Sequence, residues 1–217
     1  MLTPDKKEGR YIGVLADGKF HESVDEGTEG AVLREYETSK GEKGQKHELV
    51  YSKLEGMITD IKFEDGEFGE QILTTFSDGE TSVIVALNTS SNFGEDFLKK
   101  LPKINFAEKV KLVPYSFEDE HGKNRRGVTV YQNDEKVQSF FFDGEKSANG
   151  YPAPEGDKEK YDSDDWKVFY IKARKFLVSY AKETVLPKFE STEKPLEYPK
   201  NEFDVENDPL NPKNIPF

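Results

Sequence analysis

Residues 81–102 read TSVIVALNTSSNFGEDFLKKLP and place a short helix directly after a β-strand. Residues 81–87 alternate β-branched and small side chains, which is typical of a half-buried strand. Ser91 or Asn92 is suited to cap the helix, an apolar stripe follows at helical spacing, and Pro102 ends it. This unit decides the fold prediction, because the position of a helix among the strands distinguishes one small β architecture from another.

Strand-forming patterns lie on both sides of this unit. Gly56 interrupts a long β-prone run, which indicates a bulge or sharp bend, and Asp78-Gly79 is a hairpin signal. A three-strand meander, a linking helix and a two-strand hairpin are the order of the OB barrel. We therefore predict a mainly β chain with a five-stranded OB-type barrel and extra N-terminal strands. The predicted strands are residues 31–38, 47–63, 68–77, 81–87, 110–117, 127–132 and 137–142.

Composition divides the chain into three segments. Residues 1–30, rich in Gly and acids, are an N-terminal extension whose apolar patch at 11–15 favours a short edge strand. Residues 31–186 are the OB-fold domain, and residues 187–217 are an extended acidic tail. One amphipathic helix at 163–184 follows the barrel, with Ser163 as its cap. Its apolar stripe consists of Trp166, Phe169, Tyr170, Ala173, Phe176, Leu177 and Tyr180. We expect this stripe to pack on the barrel, and binding of a partner helix is the alternative.

Charge restricts the partners that this chain can bind. The formal net charge is −12, and the tail accounts for −3 of it. An acidic protein repels nucleic acid at long range, so any nucleic-acid site must be a local basic groove. The sequence has no Cys, no signal peptide and no apolar run of membrane-spanning length. These features predict a soluble protein of the cytoplasm that does not bind membranes.

Signatures of catalysis are missing from the sequence. It has no glycine-rich phosphate loop with its Lys and no His-Glu-x-x-His metal motif. The three histidines, at positions 21, 47 and 121, are scattered, and the acidic clusters at 64–70 and 118–120 lack the spacing of a calcium loop. We therefore expect a protein that is not an enzyme and that needs no cofactor or metal ion.

The strongest local basic cluster is Lys123-Asn124-Arg125-Arg126, in the loop between the fourth and fifth predicted barrel strands. Alternation along the fifth strand places Arg125 and Tyr131 on the same face. Cations interleaved with aromatic rings suit single-stranded nucleic acid, because the cations follow the phosphates and the rings stack on the bases. We predict that Lys123, Arg125, Arg126 and Tyr131 bind nucleic acid.

Two further patches extend this prediction. Lys111 and Tyr115 alternate with apolar residues on the fourth strand, although the solvated face of an antiparallel sheet has the same pattern and is the simpler interpretation of that strand alone. A second basic and aromatic edge is predicted at Arg34, Tyr36, Lys46 and Tyr51.

The end of the tail has the character of a docking peptide. Ile215-Pro216-Phe217 is an apolar tip with a terminal carboxylate, which suits a pocket on another protein. Asp204, Glu206 and Asp208 lie upstream, and Lys213 stands between these acids and the tip. We predict that both groups bind partner proteins.

These features also resemble known protein families. The tip resembles the end of bacterial single-stranded DNA-binding proteins, where acidic residues run into Ile-Pro-Phe. Residues 31–217 resemble single-stranded DNA-binding proteins of tailed bacteriophages, and EYETS at 35–39, TSSNFG at 89–94 and GYPAP at 150–154 look like proteins of this kind in crAss-like phages. The resemblance implies an OB barrel that coats single-stranded DNA during phage DNA replication and recombination in the host cytoplasm. It also implies a tail that recruits replication proteins and competes with DNA for the groove.

Other functions fit the same residues. A phage structural or assembly protein would use an acidic, aromatic barrel to bind protein surfaces and would ignore oligonucleotides. A carbohydrate-binding β domain would use the same exposed rings, but we would expect it to have a secretion signal. A homo-oligomer is compatible with each of these functions.

Overall fold

The structure is a computed structural model that describes residues 9–37, 41–144 and 146–192. Within these ranges the chain is mainly β, with ten strands in one sheet and two short strands in a separate hairpin. The strands are β1 (Arg10–Val14), β2 (Phe20–Val24), β3 (Val32–Glu37), β4 (Lys43–Tyr51), β5 (Leu54–Gly66), β6 (Gly69–Ser77), β7 (Ser82–Asn88), β8 (Val110–Glu118), β9 (Asn124–Gln132), β10 (Glu135–Lys136), β11 (Phe142–Asp143) and β12 (Lys146–Ser147). The helices are α1 (Asn92–Lys100), α2 (Ser163–Tyr180) and α3 (Leu186–Thr192), and a π-helical turn (Ala181–Val185) joins the last two.

The sheet is mixed and open, with the strand order β10-β9-β8-β5-β6-β7-β1-β2-β4-β3. Neighbouring strands are antiparallel except β1 and β7, which run parallel over four residue pairs. β5 connects the two halves, because residues 54–56 pair with β8 and the rest of the strand pairs with β6. The predicted bend at Gly56 lies where the partner changes, and a Cβ there would be 2.8 Å from the Ser77 carbonyl oxygen. The strands cross too closely at this point for a side chain.

The prediction of a five-stranded OB-type barrel is wrong. The predicted barrel strands are neighbours in the order β9-β8-β5-β6-β7, but a closed barrel needs β9 to pair with β7, and the described residues contain no such pairing. The parallel strand β1 occupies the free edge of β7. On the edge of β9, side chains of α1 replace a strand, since Asp96 accepts from the Val128 N–H at 2.9 Å and Lys100 donates to the Val128 carbonyl at 2.6 Å. Because both edges are occupied, the sheet stays open.

Long-range pairing also alters the predicted segments. Residues 9–30, predicted as part of an N-terminal extension, supply β1 and β2, which lie inside the sheet between β7 and β4. The predicted run at 47–63 is divided between two strands, β4 and β5. Most of the predicted strand at 137–142 is loop, and Phe141 within it is fully buried. Its apolar pattern therefore reflects core packing and not strand pairing.

α1 forms at the predicted place, between β7 and β8. Ser91 is the N-cap, and its hydroxyl accepts from the Gly94 N–H at 3.1 Å. Phe97, Leu98 and the following Leu101 are buried in the core, which attaches the helix firmly to the sheet. The helix is thereby held against the exposed edge of β9, and this placement positions the candidate site.

α2 overhangs the sheet at its N-terminal end. Its cap is Asp162 rather than the predicted Ser163, and the Asp162 carboxylate accepts from two backbone N–H groups of the first turn. Residues 163–172 include no buried side chain, whereas Ala173 and Leu177 of the predicted stripe pack into the core. Helical structure continues beyond the predicted end at 184 to Thr192, because Pro187 lies in the first turn of α3, where its missing N–H costs nothing.

One apolar cluster joins the sheet, α1 and the second half of α2. Aromatic rings fill much of it, and Phe141 alone packs against the rings of Tyr151, Phe176 and Tyr180 with centroids 5.0–6.0 Å apart. Within the described ranges no helix combines the length and the apolar character needed to cross a membrane.

Candidate functional site

A groove of about 700 Å³ lies between α1, the ends of β8 and β9, and residues 167–174 of α2. We call it the α1–α2 groove. Five of its lining residues are cations and two are acids, so the groove is locally basic on a chain of net charge −12. The lining residues are Asn92, Glu95, Asp96, Lys99, Tyr115, Arg125, Arg126, Lys167, Tyr170, Ile171 and Arg174.

A hydrogen-bonded network around Asp96 forms the floor of the groove. The Asp96 carboxylate accepts from the Val128 N–H at 2.9 Å and lies 2.7 Å from Lys100 Nζ. Burial raises the pKa of Tyr115, and Asp96 adds to this rise. Burial lowers the pKa of Lys100, although Asp96 acts in the opposite direction. At Gly127 a Cβ would lie 2.4 Å from both the Asp96 carboxylate and the Tyr115 hydroxyl, so glycine at this position lets both side chains pack against the β9 backbone.

The five cations of the groove differ in their partners. Three of them have a carboxylate within 2.8 Å, and the pairs are Lys99–Glu95, Arg125–Asp119 and Lys167–Asp164. Among the described residues Arg126 and Arg174 form no ion pair. Arg126 has only a long contact to the Ser116 hydroxyl, at 3.4 Å, and the Nε of Arg174 is buried without a hydrogen-bond partner.

Aromatic rings lie on two of the elements that border the groove. On α2, Tyr170 is 49% exposed and stacks on Trp166 at an interplanar angle of 28°, with centroids 5.9 Å apart. On β8, the Tyr115 ring lies 5.8 Å from that of Phe117, which is 55% exposed. Rigid rings with accessible faces are suited to stacking against planar groups.

The predicted basic loop contributes only part of its residues to the groove. Arg125 and Arg126 line it together with Tyr115, as the sequence predicted for the loop and the neighbouring strand. Lys123 lies outside the lining, and its backbone N–H donates to Asp119 at 2.9 Å. This bond is the main reason that the pKa of Asp119 is lowered, and Arg125 contributes further. Asp119 therefore holds the β8–β9 loop closed and orients Arg125 at the same time.

Lys111 and Tyr131 lie opposite one another on β8 and β9 and line a separate hollow. Lys111 Nζ lies 5.2 Å from the centroid of the Tyr131 ring and 2.8 Å from Asp134. Glu55 and Glu108 also line the hollow. The acids offset the charge of Lys111, and the structure does not join this pair to the α1–α2 groove.

Arg34 and Tyr51, predicted to bind nucleic acid, are hydrogen-bonded to buried acids. Arg34 holds the carboxylate of Glu48 with two bonds of 2.7 and 2.8 Å, and this contact lowers the pKa of Glu48. The Tyr51 hydroxyl donates to Glu22 at 2.9 Å, and Glu22 has its pKa lowered chiefly by Arg10. These contacts tie β1, β2, β3 and β4 together, so they stabilise the sheet and leave the side chains little freedom to meet a ligand.

Tyr36 and Lys46 lie on the β3–β4 hairpin. Lys46 Nζ is 5.2 Å and the Arg34 guanidinium 5.7 Å from the centroid of the Tyr36 ring. The hollow beside Tyr36 is lined by Glu35 and Glu37 as well as Lys43. None of the described residues of this hairpin, 32–37 and 41–51, lines the α1–α2 groove.

The predicted partner-binding residues of the tail lie outside the described residues. They are Asp204, Glu206, Asp208, Ile215, Pro216 and Phe217.

Sequence reasoning missed the wall of the groove that α2 supplies. Lys167, Tyr170 and Arg174 recur at helical spacing and so lie on the same face of α2. The spacing is present in the sequence, but Tyr170 belongs to the apolar stripe that is predicted to pack on the barrel. No pattern in the sequence singles out Arg174 as a binding residue. The sequence does not show that the N-terminal part of α2 extends beyond the sheet, because this depends on where the helix docks.

The fold and the groove define a mainly β protein with an open sheet and a basic groove bordered by aromatic rings. Comparison of the chain with models of protein families, with curated proteins and with solved structures found no match in any of the three. The function must therefore be inferred from the groove.

Proposed function

We propose that this protein is a non-enzymatic single-stranded DNA-binding protein that coats DNA during phage DNA replication and recombination in the host cytoplasm. One observation carries the proposal: two arginines without ion pairs, the exposed ring of Tyr170 and the partly buried ring of Tyr115 line the same open groove. Cations that follow the phosphates and rings that stack on the bases are what sequence-tolerant binding of a single strand requires. The phage setting is proposed from the family resemblance of the sequence.

Electrostatics makes this binding dependent on salt. Each phosphate neutralised by Lys or Arg releases condensed counterions, so the logarithm of the binding constant falls linearly with the logarithm of the salt concentration. The acidic remainder of the chain opposes long-range attraction. Affinity therefore comes from contacts inside the groove, and we expect single strands to compete better than duplex, whose bases are unavailable for stacking.

The first test is a titration of fluorescein-labelled oligo(dT) at several salt concentrations. We expect binding with a clear salt slope, and we expect Tyr170→Ala to weaken it by about 1–3 kcal/mol through the loss of one stacking platform. Phe68→Ala is the matched control, because the Phe68 ring is 75% exposed but does not line the groove, and it should leave the affinity unchanged. Absence of binding at low salt, or binding without a salt slope, would refute the proposal.

We propose a second role for the acidic segment at 201–217, which includes Asp204, Glu206 and Asp208. Its carboxylates compete with DNA for the basic groove, while Ile215-Pro216-Phe217 binds replication proteins. Removing residues 201–217 should tighten oligo(dT) binding and abolish capture of those partners. If neither the affinity nor the capture changes, the segment has no part in binding.

A second candidate function, binding of protein surfaces by a phage structural or assembly protein, is favoured by one observation. Val168 and Ile171 on α2 are 54% and 49% exposed, and aliphatic side chains suit a protein partner better than a base. This candidate predicts association with phage particles and no binding of oligo(dT), so the same titration separates the two.

A further inference from the structure

The two groove arginines without ion pairs stand on different walls. Arg126 is on β9, beside the floor network, and Arg174 is on α2. The other three cations of the groove each have a carboxylate partner. Like charges that line one groove repel each other unless an anion lies between them. The arrangement is therefore costly in the protein alone and favourable around an anionic ligand.

Arg174 shows a second sign of an incomplete site. Its Nε is a strong donor that is buried without a partner, and an unsatisfied buried donor is destabilising. On binding a phosphate, the Arg174 guanidinium would have to turn its Nε–H into the groove, where the Nε–H and a terminal N–H would each donate to a phosphate oxygen and remove this deficit. The planar fork of Arg fits two phosphate oxygens, which Lys cannot do.

We propose that Arg126 and Arg174 form a clamp that holds one phosphodiester group of the bound strand between β9 and α2. This inference rests on the proposed function and deepens it, because it assigns a phosphate to a defined position and makes α2 part of the site. Tyr115 and Tyr170 then lie on the two sides of the held phosphate, on the floor and on the α2 wall, where neighbouring bases can stack. Arg125, whose Nε is occupied by Asp119 at 2.7 Å, stays outside the clamp.

The test measures the salt slope of oligo(dT) binding for single variants of the full chain. Arg126→Gln and Arg174→Gln should each weaken binding about tenfold and reduce the size of the slope by up to about 0.7, the value for one phosphate contact on a single strand, because the two arginines share one phosphate. Arg174→Lys should keep the slope but lose affinity, because it retains the charge and loses the fork. Lys175→Gln is the matched control, since Lys175 is exposed on the same helix but does not line the groove, and it should change neither quantity.

A second measurement does not depend on DNA. In NMR spectra of the unmodified protein, inorganic pyrophosphate should shift the Nε–Hε signals of Arg126 and Arg174 and leave that of Arg125 in place. If oligo(dT) binds with a salt slope that both glutamine variants leave unchanged, the clamp is wrong and the proposed function stands. If oligo(dT) does not bind, the proposed function fails, and a pyrophosphate shift confined to these two arginines would identify an anion site of another kind. No shift at either arginine overturns the clamp.

Discussion

Gly94→Ala is expected to destabilise the protein by about 3 kcal/mol, the upper part of the range for overpacking a well-packed core. A Cβ on Gly94 would lie 2.2 Å from the carbonyl oxygen of Asn88 and 2.9 Å from its carbonyl carbon. Both atoms belong to the backbone at the end of β7, so they cannot rotate away as a side chain could. The same carbonyl accepts from the Ser91 N–H and hydroxyl, at 2.9 and 2.7 Å, and these bonds hold it in place.

Urea denaturation followed by circular dichroism measures this effect as a fall in the free energy of unfolding. Gly13→Ala is the control, because Gly13 also lies in the sheet, yet a Cβ there meets nothing within 4 Å and its φ is not in the left-handed region. Its free energy of unfolding should change by less than about 1 kcal/mol. If Gly94→Ala were equally mild, α1 would be free to move off β7, and the groove could not have the fixed wall described above.

The local features of the fold were predictable from the sequence, and the closure of the sheet was not. The cap at Ser91, the apolar stripe of α1 and the bend at Gly56 all depend on neighbouring residues, and the structure contains them. Closure depended on β1, which is nearly seventy residues away from its parallel partner β7 in the chain. No periodicity in the sequence indicates which distant strand takes an open edge, and so the barrel prediction failed.

The candidate site was predictable to a similar extent. Arg125 and Arg126 were found because they form a cluster in the sequence. Arg34 was assigned to binding for the same reason, but its partner Glu48 is 14 residues away, and only the pairing of β3 with β4 brings them together. Arg174 lies between Lys172 and Lys175, which the sequence places on the solvent-facing side of an amphipathic helix. Its unsatisfied Nε becomes visible only when α2 is docked. Charge patterns thus reveal candidate cations, and the fold decides which of them are available to a ligand.

Lys100→Met should cost about 3 kcal/mol of folding stability, as removal of one partner from a buried ion pair does. The Lys100 side chain is 9% exposed and lies 2.7 Å from Asp96, whose side chain is 24% exposed. Lys100 also donates to the Val128 carbonyl at 2.6 Å, on the edge of β9 that no strand covers at this point. The variant therefore leaves a carboxylate without its cation and a backbone acceptor without its donor.

The double variant Lys100→Met/Asp96→Asn tests whether the unpaired Asp96 carboxylate is the main cause of the lost stability. The amide introduced by Asp96→Asn is neutral and can still accept from the Val128 N–H, so we expect the double variant to regain more than half of the loss. Lys103→Met, at an exposed position just beyond α1, is the control and should change stability by less than about 0.5 kcal/mol. If Lys100→Met is as mild as this control, α1 does not hold the edge of β9 through Lys100. If the double variant regains nothing, the lost donor to Val128 dominates, and the role of Lys100 is to complete the sheet edge rather than to balance Asp96.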